Sequence, residues 1–349
     1  MAGLTRRGWP AAGLLLAGAL LAACSSGSAG PAPSSTLSPS PAPSTTLAPL
    51  KVAGTEESGS LSFLGGVYRL AVTPLPTGAE SAAPAVPGTP AYAKTVEIAY
   101  RQLGSGKPLV LIPGEGATMD WWSAPLLAQL AAHYRVTLFD LPGVGYSGPA
   151  ASPLTIDLLG DLTAGLIAQL KIAAPVVLGW GLGGQVALAL AERHPSLAED
   201  LVLVDTGVPT RGSRPVDKQA ASLLASSPFD PYRLASLLFT AREAAAKSAW
   251  LSSLARQVPD TVTAAAAAAQ WRLEKSFWAH TDVVAHLSAV KQPTLVVEGT
   301  KDVVFPPRDA TALAAGLDGS QRYSWNGVGY GGMVAEPSHF AQLLEGFTG

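Results

Sequence analysis

A glycine-rich turn at residues 179–183, Gly-Trp-Gly-Leu-Gly, has a residue spacing that could support catalysis. The apolar run 176–178 before it predicts a buried strand, and residues 184–194 have a helical pattern that Pro195 ends. A strand, a sharp turn and a helix around G-x-S-x-G hold a serine nucleophile exposed at the top of a sheet. Because Gly181 stands at the serine position, the sequence predicts this turn without its nucleophile.

Other elements must form the sheet that positions the turn. Strand patterns occur at residues 95–101, 108–112, 136–140, 201–205, 293–299 and 321–325. Most of them alternate with helical patterns, which predicts an α/β fold with a mostly parallel central sheet and helices on both faces. Ligands of such sheets bind at the carboxyl ends of the strands, where we expect Gly181 to lie.

Two segments depart from this alternation. Residues 207–290 are rich in Ala and helical in pattern, which predicts a helical cap inserted into a core of residues 92–206 and 291–349. Residues 51–91 combine short apolar pieces around Gly65-Gly66 with Pro-rich and Ala-rich sequence. We interpret them as an N-terminal extension that contains a hairpin, followed by a linker.

The N-terminus has the pattern of an export signal. In residues 1–23, Arg6-Arg7 precedes an apolar run that is too short to span a bilayer comfortably. This run ends in Leu-Ala-Ala-Cys, which resembles the bacterial lipobox, whose cysteine carries the lipid after cleavage of the signal peptide. Residues 24–50 are mostly Ser, Pro, Ala and Thr, which predicts a flexible tether. The sequence thus predicts an exported protein, anchored through a lipid on Cys24 to the outer face of the cytoplasmic membrane or within the cell envelope.

Composition excludes several classes of function. The net charge is −2 and no basic patch is present, so nucleic acid is not an expected partner. The single cysteine excludes a disulfide framework and a thiolate metal cluster. We therefore predict neither a metal nor a cofactor.

Five segments in order resemble signatures of the α/β-hydrolase superfamily, and the resemblance covers roughly residues 92–349. They are the strand and loop at 109–114, the D-x-x-G-x-G-x-S turn at 140–147, the glycine-rich turn at 179–183, the strand and loop at 293–306, and the loop at 327–332. By this resemblance Asp302 stands at the position of the catalytic acid. Tyr330 stands at the position of the histidine, and the backbone N–H groups of Glu115 and Leu182 stand at the oxyanion hole.

The resemblance therefore implies a site that has lost conventional serine hydrolase chemistry. Gly181 has no side chain, and a tyrosine phenol is a poor base at neutral pH. In addition, the Glu115 carboxylate would oppose negative charge in the oxyanion hole.

Two hypotheses follow for the function. In the first, the protein is a catalytically degenerate hydrolase that binds a small apolar ligand or a protein partner, in a pocket that could include Trp121, Trp180, His280 and His286. In the second, it is an active hydrolase of an ester, a lactone or a related substrate, or a lyase, that uses Glu115, Asp302 or a cap histidine.

Overall fold

A computed structural model of the protein describes residues 67–75, 95–149, 154–209, 218–224, 230–254, 262–279 and 286–349. All of them belong to one compact unit, Thr46–Gly349. The second unit, Met1–Thr45, lies outside the described residues, and so do Cys24, the tether and His280. Within the described ranges, no helix is both long and apolar enough to cross a membrane.

The centre of the unit is an eight-stranded sheet with the strand order β1-β2-β4-β3-β5-β6-β7-β8. Its strands are β1 Tyr68–Val72, β2 Val96–Leu103, β3 Lys107–Ile112, β4 Tyr134–Phe139, β5 Val176–Trp180, β6 Asp200–Val204, β7 Thr294–Gly299 and β8 Gln321–Trp325. The pairs β1/β2 and β2/β4 are antiparallel, and all other neighbouring pairs are parallel. Every residue of β5, β6 and β7 is buried, as expected for continuous apolar strands in the middle of a parallel sheet.

Helices alternate with most of these strands, and together they confirm the predicted α/β fold class. They are α1 Ala124–Ala131, α2 Ile156–Gln169, α3 Leu182–Arg193, α4 Lys218–Leu224, α5 Pro231–Leu238, α6 Ala244–Leu254, α7 Ala264–Trp278, α8 Pro307–Gly316, α9 Gly332–Ala335 and α10 Pro337–Thr348. Helix α3 packs on β5 and β6 and against α2. Helices α4 to α7 lie between β6 and β7, in the segment that the sequence predicts as the cap.

The sheet begins earlier in the chain than the sequence predicts. Strand β1 pairs with β2 from Tyr68↔Tyr100 to Val72↔Val96, and it forms one edge of the sheet. This strand lies inside residues 51–91, which the sequence analysis assigns to an extension and a linker. The strand is short and its side chains are mostly half-exposed, so its alternation of apolar and polar residues is a weak strand pattern. Only its pairing with β2 identifies it as part of the core sheet.

A buried carboxyl group organises the turn that follows β4. The two carboxyl oxygens of Asp140 accept hydrogen bonds from the backbone N–H groups of Met119, at 2.6 Å, and Tyr146, at 2.8 Å. The Ser147 hydroxyl donates to the Asp140 carbonyl at 2.7 Å and accepts from the Ala99 N–H at 2.9 Å. Burial raises the pKa of Asp140 to about 7, although the two backbone hydrogen bonds oppose the rise. The D-x-x-G-x-G-x-S sequence thus ties β4 to β2 and to the loop before α1.

The Ser147 hydroxyl should therefore matter for stability. We expect Ser147→Ala to lower the free energy of unfolding by about 1–3 kcal/mol, because it leaves a buried N–H and a buried carbonyl without their partner. Urea unfolding followed by circular dichroism measures the change. Ser236→Ala is the matched control, since the Ser236 hydroxyl donates to the Arg233 carbonyl at an exposed position. Equal stability losses in the two variants would contradict the role given to Ser147.

Candidate functional site

The glycine-rich turn has the backbone geometry that its sequence predicts. Strand β5 ends at Trp180 and helix α3 begins at Leu182, with Gly181 between them at φ 54° and ψ −118°. The Gly181 N–H donates to the Val204 carbonyl at 3.0 Å, and the Thr206 hydroxyl donates to the Gly181 carbonyl at 2.6 Å. Side chains disfavour a positive φ, which glycine adopts without a Cβ clash. The turn is therefore fixed by hydrogen bonds to the end of β6 and does not depend on a serine.

The outer glycines of the turn are required by close contacts. A Cβ atom on Gly179 would lie 2.2 Å from the Gly183 carbonyl oxygen, and one on Gly183 would lie 2.2 Å from the Ile112 carbonyl oxygen. Both distances are far inside van der Waals contact. These glycines allow α3 to start directly over β5 and β3, which is a packing requirement whether or not the turn carries a nucleophile.

Tyr330 occupies the space that a side chain at position 181 would need. A Cβ atom on Gly181 would lie 1.9 Å from the Tyr330 hydroxyl oxygen and 3.0 Å from its Cζ. The same hydroxyl lies 3.1 Å from the position of a Cβ on Gly114, in the loop after β3. Since only 6% of Tyr330 is exposed, the ring is a buried part of the site. A serine at position 181 would require Tyr330 to move.

A row of aromatic rings holds Tyr330 in place. Its ring centroid lies 4.9 Å from that of Trp180 and 5.8 Å from that of Phe305. The Trp180 indole N–H also donates to the Tyr330 carbonyl at 2.9 Å. Trp121 extends the row, with its ring centroid 6.5 Å from that of Trp180. The structure thus brings the predicted pocket residues Trp121 and Trp180 together with Tyr330, and Tyr330 fills the space over the turn.

Asp302 keeps the local geometry of an acid that orients a partner. Its Oδ1 accepts hydrogen bonds from the N–H groups of Val304, at 2.7 Å, and Phe305, at 3.0 Å. Its Oδ2 is buried and has no hydrogen-bond partner among the described residues. Burial and the nearby charge of Asp205 raise the pKa of Asp302 well above its ordinary value. Backbone donors therefore fix one carboxyl oxygen of Asp302 and leave the other to accept a further hydrogen bond.

Asp205 is a second buried acid beside this group. It follows β6 at φ 45°, and its Oδ1 accepts a hydrogen bond from the Gly299 N–H at 2.8 Å. Burial, followed by the charges of Glu298 and Glu243, raises the pKa of Asp205 to about 8. Its hydrogen bond ties the end of β6 to the end of β7, which gives the residue a structural role.

Tyr330 cannot act as a base in this environment. Burial is the largest cause that raises its pKa well above its ordinary value. The charges of four carboxyl groups raise it further; they belong to Asp302, Asp205, Glu115 and Glu274. The phenol therefore stays protonated across the neutral range, whereas a general base must be able to accept a proton there.

Glu115 interacts with an acid that sequence reasoning missed. Burial and the charge of Glu274, in cap helix α7, raise the pKa of Glu115 well above its ordinary value. The acids that act on Asp302 are Asp205 and Asp309, and not Glu115. Of the acids named in the second hypothesis, Glu115 therefore interacts with Glu274, and Asp302 interacts with Asp205 and Asp309. Nothing in the sequence places α7 next to the loop after β3, because the pairing of a cap with its core is decided by tertiary packing.

The two predicted oxyanion donors lie on either side of the site. The N–H of Glu115 is in the loop after β3, and that of Leu182 is in the first residue of α3. In the described part of the chain, neither N–H donates a hydrogen bond to another protein group. The Tyr330 hydroxyl oxygen lies between the two segments, 3.1 Å from the position of a Cβ on Gly114 and 1.9 Å from that of a Cβ on Gly181.

His286 has other neighbours. Its Nδ1 lies 3.1 Å from Glu192 Oε1, and its side chain is exposed. It lines a groove of about 420 Å³ together with residues of α2, α3 and α7. Tyr330, Gly181 and Asp302 do not line this groove. The structure therefore places His286 away from the row of rings. Among the described residues, no group of three or more His, Cys, Asp or Glu side chains is arranged to hold a metal ion.

Replacing Gly181 tests whether Tyr330 blocks the nucleophile position. We expect Gly181→Ser to lower the free energy of unfolding by about 1–3 kcal/mol beyond the backbone strain, because the new Cβ overlaps the Tyr330 hydroxyl. Gly319→Ser is the matched control, since Gly319 also has a positive φ, 71°, and nothing lies within 4 Å of its added Cβ. That control should lose only the strain, of about 1–3 kcal/mol. Equal losses in the two variants, measured by urea unfolding, would show that Tyr330 does not obstruct the position.

Comparisons with known proteins identify the family of the fold. The family described as alpha/beta hydrolase fold matches residues 107–343. A pimeloyl-[acyl-carrier protein] methyl ester esterase of Aromatoleum aromaticum is 34% identical over 256 residues, which cover 68% of this chain and 96% of the relative. An uncharacterized protein of Mycobacterium tuberculosis is 28% identical over 265 residues, covering 71% of this chain and 77% of the relative. A solved hydrolase structure from Pseudomonas aeruginosa superposes with a TM-score of 0.61 at 25% identity, covering 73% of this chain and 95% of the other. The chain belongs to the α/β-hydrolase fold family.

Proposed function

We propose that this protein is a catalytically degenerate member of the α/β-hydrolase family that binds a ligand at the modified site and does not hydrolyse it. The observation that carries the proposal is the 1.9 Å separation between the Tyr330 hydroxyl oxygen and the position of a Cβ on Gly181. One substitution removed the nucleophile, and the side chain at the histidine position fills the space it left. Each change would suffice to stop conventional acyl transfer, which needs both a nucleophile and a base.

The electrostatics of the site support the same proposal. Conventional hydrolysis needs an ionised acid, a base that titrates near neutrality and donors that face a developing oxyanion. Here burial favours the protonated forms of Asp302, Tyr330 and Glu115, since it raises the pKa of each. A site built from neutral acids and aromatic rings is suited to binding through hydrogen bonds and apolar contact.

A second candidate is an active hydrolase with non-standard residues. Two observations favour it: relatives such as the Aromatoleum protein are named as esterases, and Glu115 and Glu274 form a carboxyl pair with raised pKa values. A carboxyl group with a pKa near neutrality can act as a general acid or base. This candidate requires that turnover depend on Glu115, Asp302 or a cap histidine.

Turnover assays separate the two candidates. We expect the wild-type protein to resist labelling by a fluorophosphonate probe and to hydrolyse short and long p-nitrophenyl esters no faster than the same protein after heat denaturation. Hydrolysis by the native protein that Glu115→Gln or Asp302→Asn abolishes would overturn the degenerate assignment. It would establish the second candidate.

Restoring the missing groups is the stronger form of this test. We expect the double variant Gly181→Ser with Tyr330→His to react with the fluorophosphonate probe and to hydrolyse p-nitrophenyl acetate about 10²–10⁴ times faster than Gly181→Ser with Tyr330→Phe. The phenylalanine control removes the same hydroxyl and supplies no base. A folded double variant that stays inert would show that the loop around Glu115 also prevents catalysis.

The proposal includes attachment to a membrane through Cys24. It rests on the signal-like residues 1–23, on the position of the only cysteine in the chain and on the polar composition of residues 24–50. A chain of this composition fits a spacer that separates a folded unit from a lipid surface.

Replacing the cysteine tests the anchor. When the full chain is expressed in a bacterial host with an alkyne analogue of palmitate, we expect wild type to incorporate the label and to sediment with membranes. Cys24→Ser should lose the label and appear in the soluble fraction. Ser25→Ala is the matched control and should behave as wild type. Label on the Cys24→Ser protein, or its continued sedimentation with membranes, would contradict a lipid anchor at this position.

A further inference from the structure

The groove that His286 lines follows helix α3 from the interior of the protein to its surface. Gln185, Leu188, Ala189 and Glu192 line it, and this i, i+3, i+4, i+7 spacing places them on one face of the helix. The stripe is about 10 Å long, since each helical residue rises about 1.5 Å. It begins at Gln185, which is 1% exposed, and ends at Glu192, which is exposed. We call this opening of about 420 Å³ the α3 groove.

The walls of the α3 groove are mainly apolar. Leu273 and Phe277 line it from one turn of α7, and Leu154 and Ile156 line it where α2 begins. Three of these side chains stay only partly buried although they pack against the hydrophobic core; they are Leu154, Ile156 and Phe277. Apolar side chains left partly exposed in a concave place are typical of a binding site. The volume also lies in the usual range of small-molecule sites, about 300–1,000 Å³.

The buried end of the α3 groove carries a hydrogen-bond acceptor without a partner. The Gln185 Nε2 donates to the Gly207 carbonyl at 3.5 Å, whereas the buried Gln185 Oε1 has no hydrogen-bond partner among the described residues. Buried polar side chains are ordinarily hydrogen-bonded, and an unpaired one is costly. A ligand in the groove that brings an O–H or N–H donor to this end would satisfy the Oε1.

The charges of the α3 groove favour an uncharged ligand. Its acids are Asp157 and Glu192, and in the described part of the chain neither lysine nor arginine lines it. A carboxylate or phosphate in the groove would therefore meet charges of its own sign and no counter-charge. The two acids do not require a cationic ligand, because Asp157 lies 3.2 Å from Arg193 and Glu192 lies 3.1 Å from His286.

We propose that the α3 groove binds an uncharged single-chain aliphatic molecule with a hydrogen-bond donor at one end, such as a fatty alcohol or a fatty amide. The donor satisfies Gln185 Oε1, and the chain lies along α3 against Leu188, Leu273 and Phe277. This inference goes beyond the proposed function, because neither Tyr330 nor Gly181 lines the groove. It assigns the protein a second binding site, on the side of the cap away from the row of rings.

Photoaffinity labelling of the full chain in phosphatidylcholine vesicles tests this site. The probe is decan-1-ol with a diazirine on its chain, and mass spectrometry of peptides locates the label. We expect the label within residues 185–192 and 273–277. At equal mole fraction in the vesicles, decan-1-ol should compete with the probe at least about fivefold more strongly than 1-methoxydecane or decanoate does. The ether has no donor for Gln185 Oε1, and decanoate carries a negative charge.

Two substitutions separate this site from general adsorption of the probe. Ser276→Trp adds an indole at an exposed position of α7 that lines the groove, and it should remove most of the label. Ser236→Trp makes the same change at an exposed position of α5 that does not line the groove, and it should be labelled as wild type is. Gln185→Leu keeps an apolar side chain of similar size and removes the acceptor. In that variant decan-1-ol should lose its advantage over 1-methoxydecane.

Equal competition by decan-1-ol and 1-methoxydecane in the wild-type protein would overturn the inference. Undiminished labelling of folded Ser276→Trp protein, or label found only in other parts of the chain, would do the same. If Ser276→Trp fails to fold, the Gln185→Leu comparison decides, and a retained preference for the alcohol in that variant refutes the role of Gln185. The ester assays measure turnover independently of this groove, so failure of the proposed function and failure of this inference are distinguishable.

Discussion

The contact between Gly181 and Tyr330 is the constraint on which the rest of the site depends. Glycine at the centre of the turn has no Cβ, and the tyrosine hydroxyl comes within 1.9 Å of where that atom would be. Tyr330 therefore requires glycine at position 181, because a side chain there would displace the ring. The positive φ of Gly181 adds to this, because glycine adopts it without the strain that a serine would carry.

Filling the site with aromatic rings also changes its electrostatics. Tyr330, Trp180 and Phe305 exclude water from a place that carboxyl groups surround on two sides. Asp302 and Asp205 form one group, and Glu115 and Glu274 form the other; in each case burial is the largest cause of the raised pKa. Desolvation acts against the charged form of every acid, so the surroundings of these carboxyl groups favour their neutral forms. This explains how so many acids can lie close together around the turn.

The scaffold shows that fold and chemistry are separable in this family. Gly179 and Gly183 are held by contacts between α3 and the strands beneath it, and the Asp140 turn is held by its own hydrogen bonds. Neither feature depends on Gly181 or Tyr330. A family resemblance therefore identifies the scaffold and leaves the activity to the residues at the site. The relatives' names describe esterases and hydrolases, whereas the binding role that we propose rests on the geometry around Gly181.

The sequence by itself determined most of the sheet, the turn and which residues stand at the signature positions, because these depend on local patterns. Apolar runs mark β3 to β7, and the motif spacing places Gly181, Asp302 and Tyr330 at named positions. Tertiary structure decided what those residues do to one another. Only the folded chain shows that Tyr330 fills the space above Gly181 and that β1 joins the sheet. It also shows that the charge of Glu274, and not that of Asp302, raises the pKa of Glu115. These facts depend on contacts between segments far apart in the chain, for which a single sequence carries no local signal.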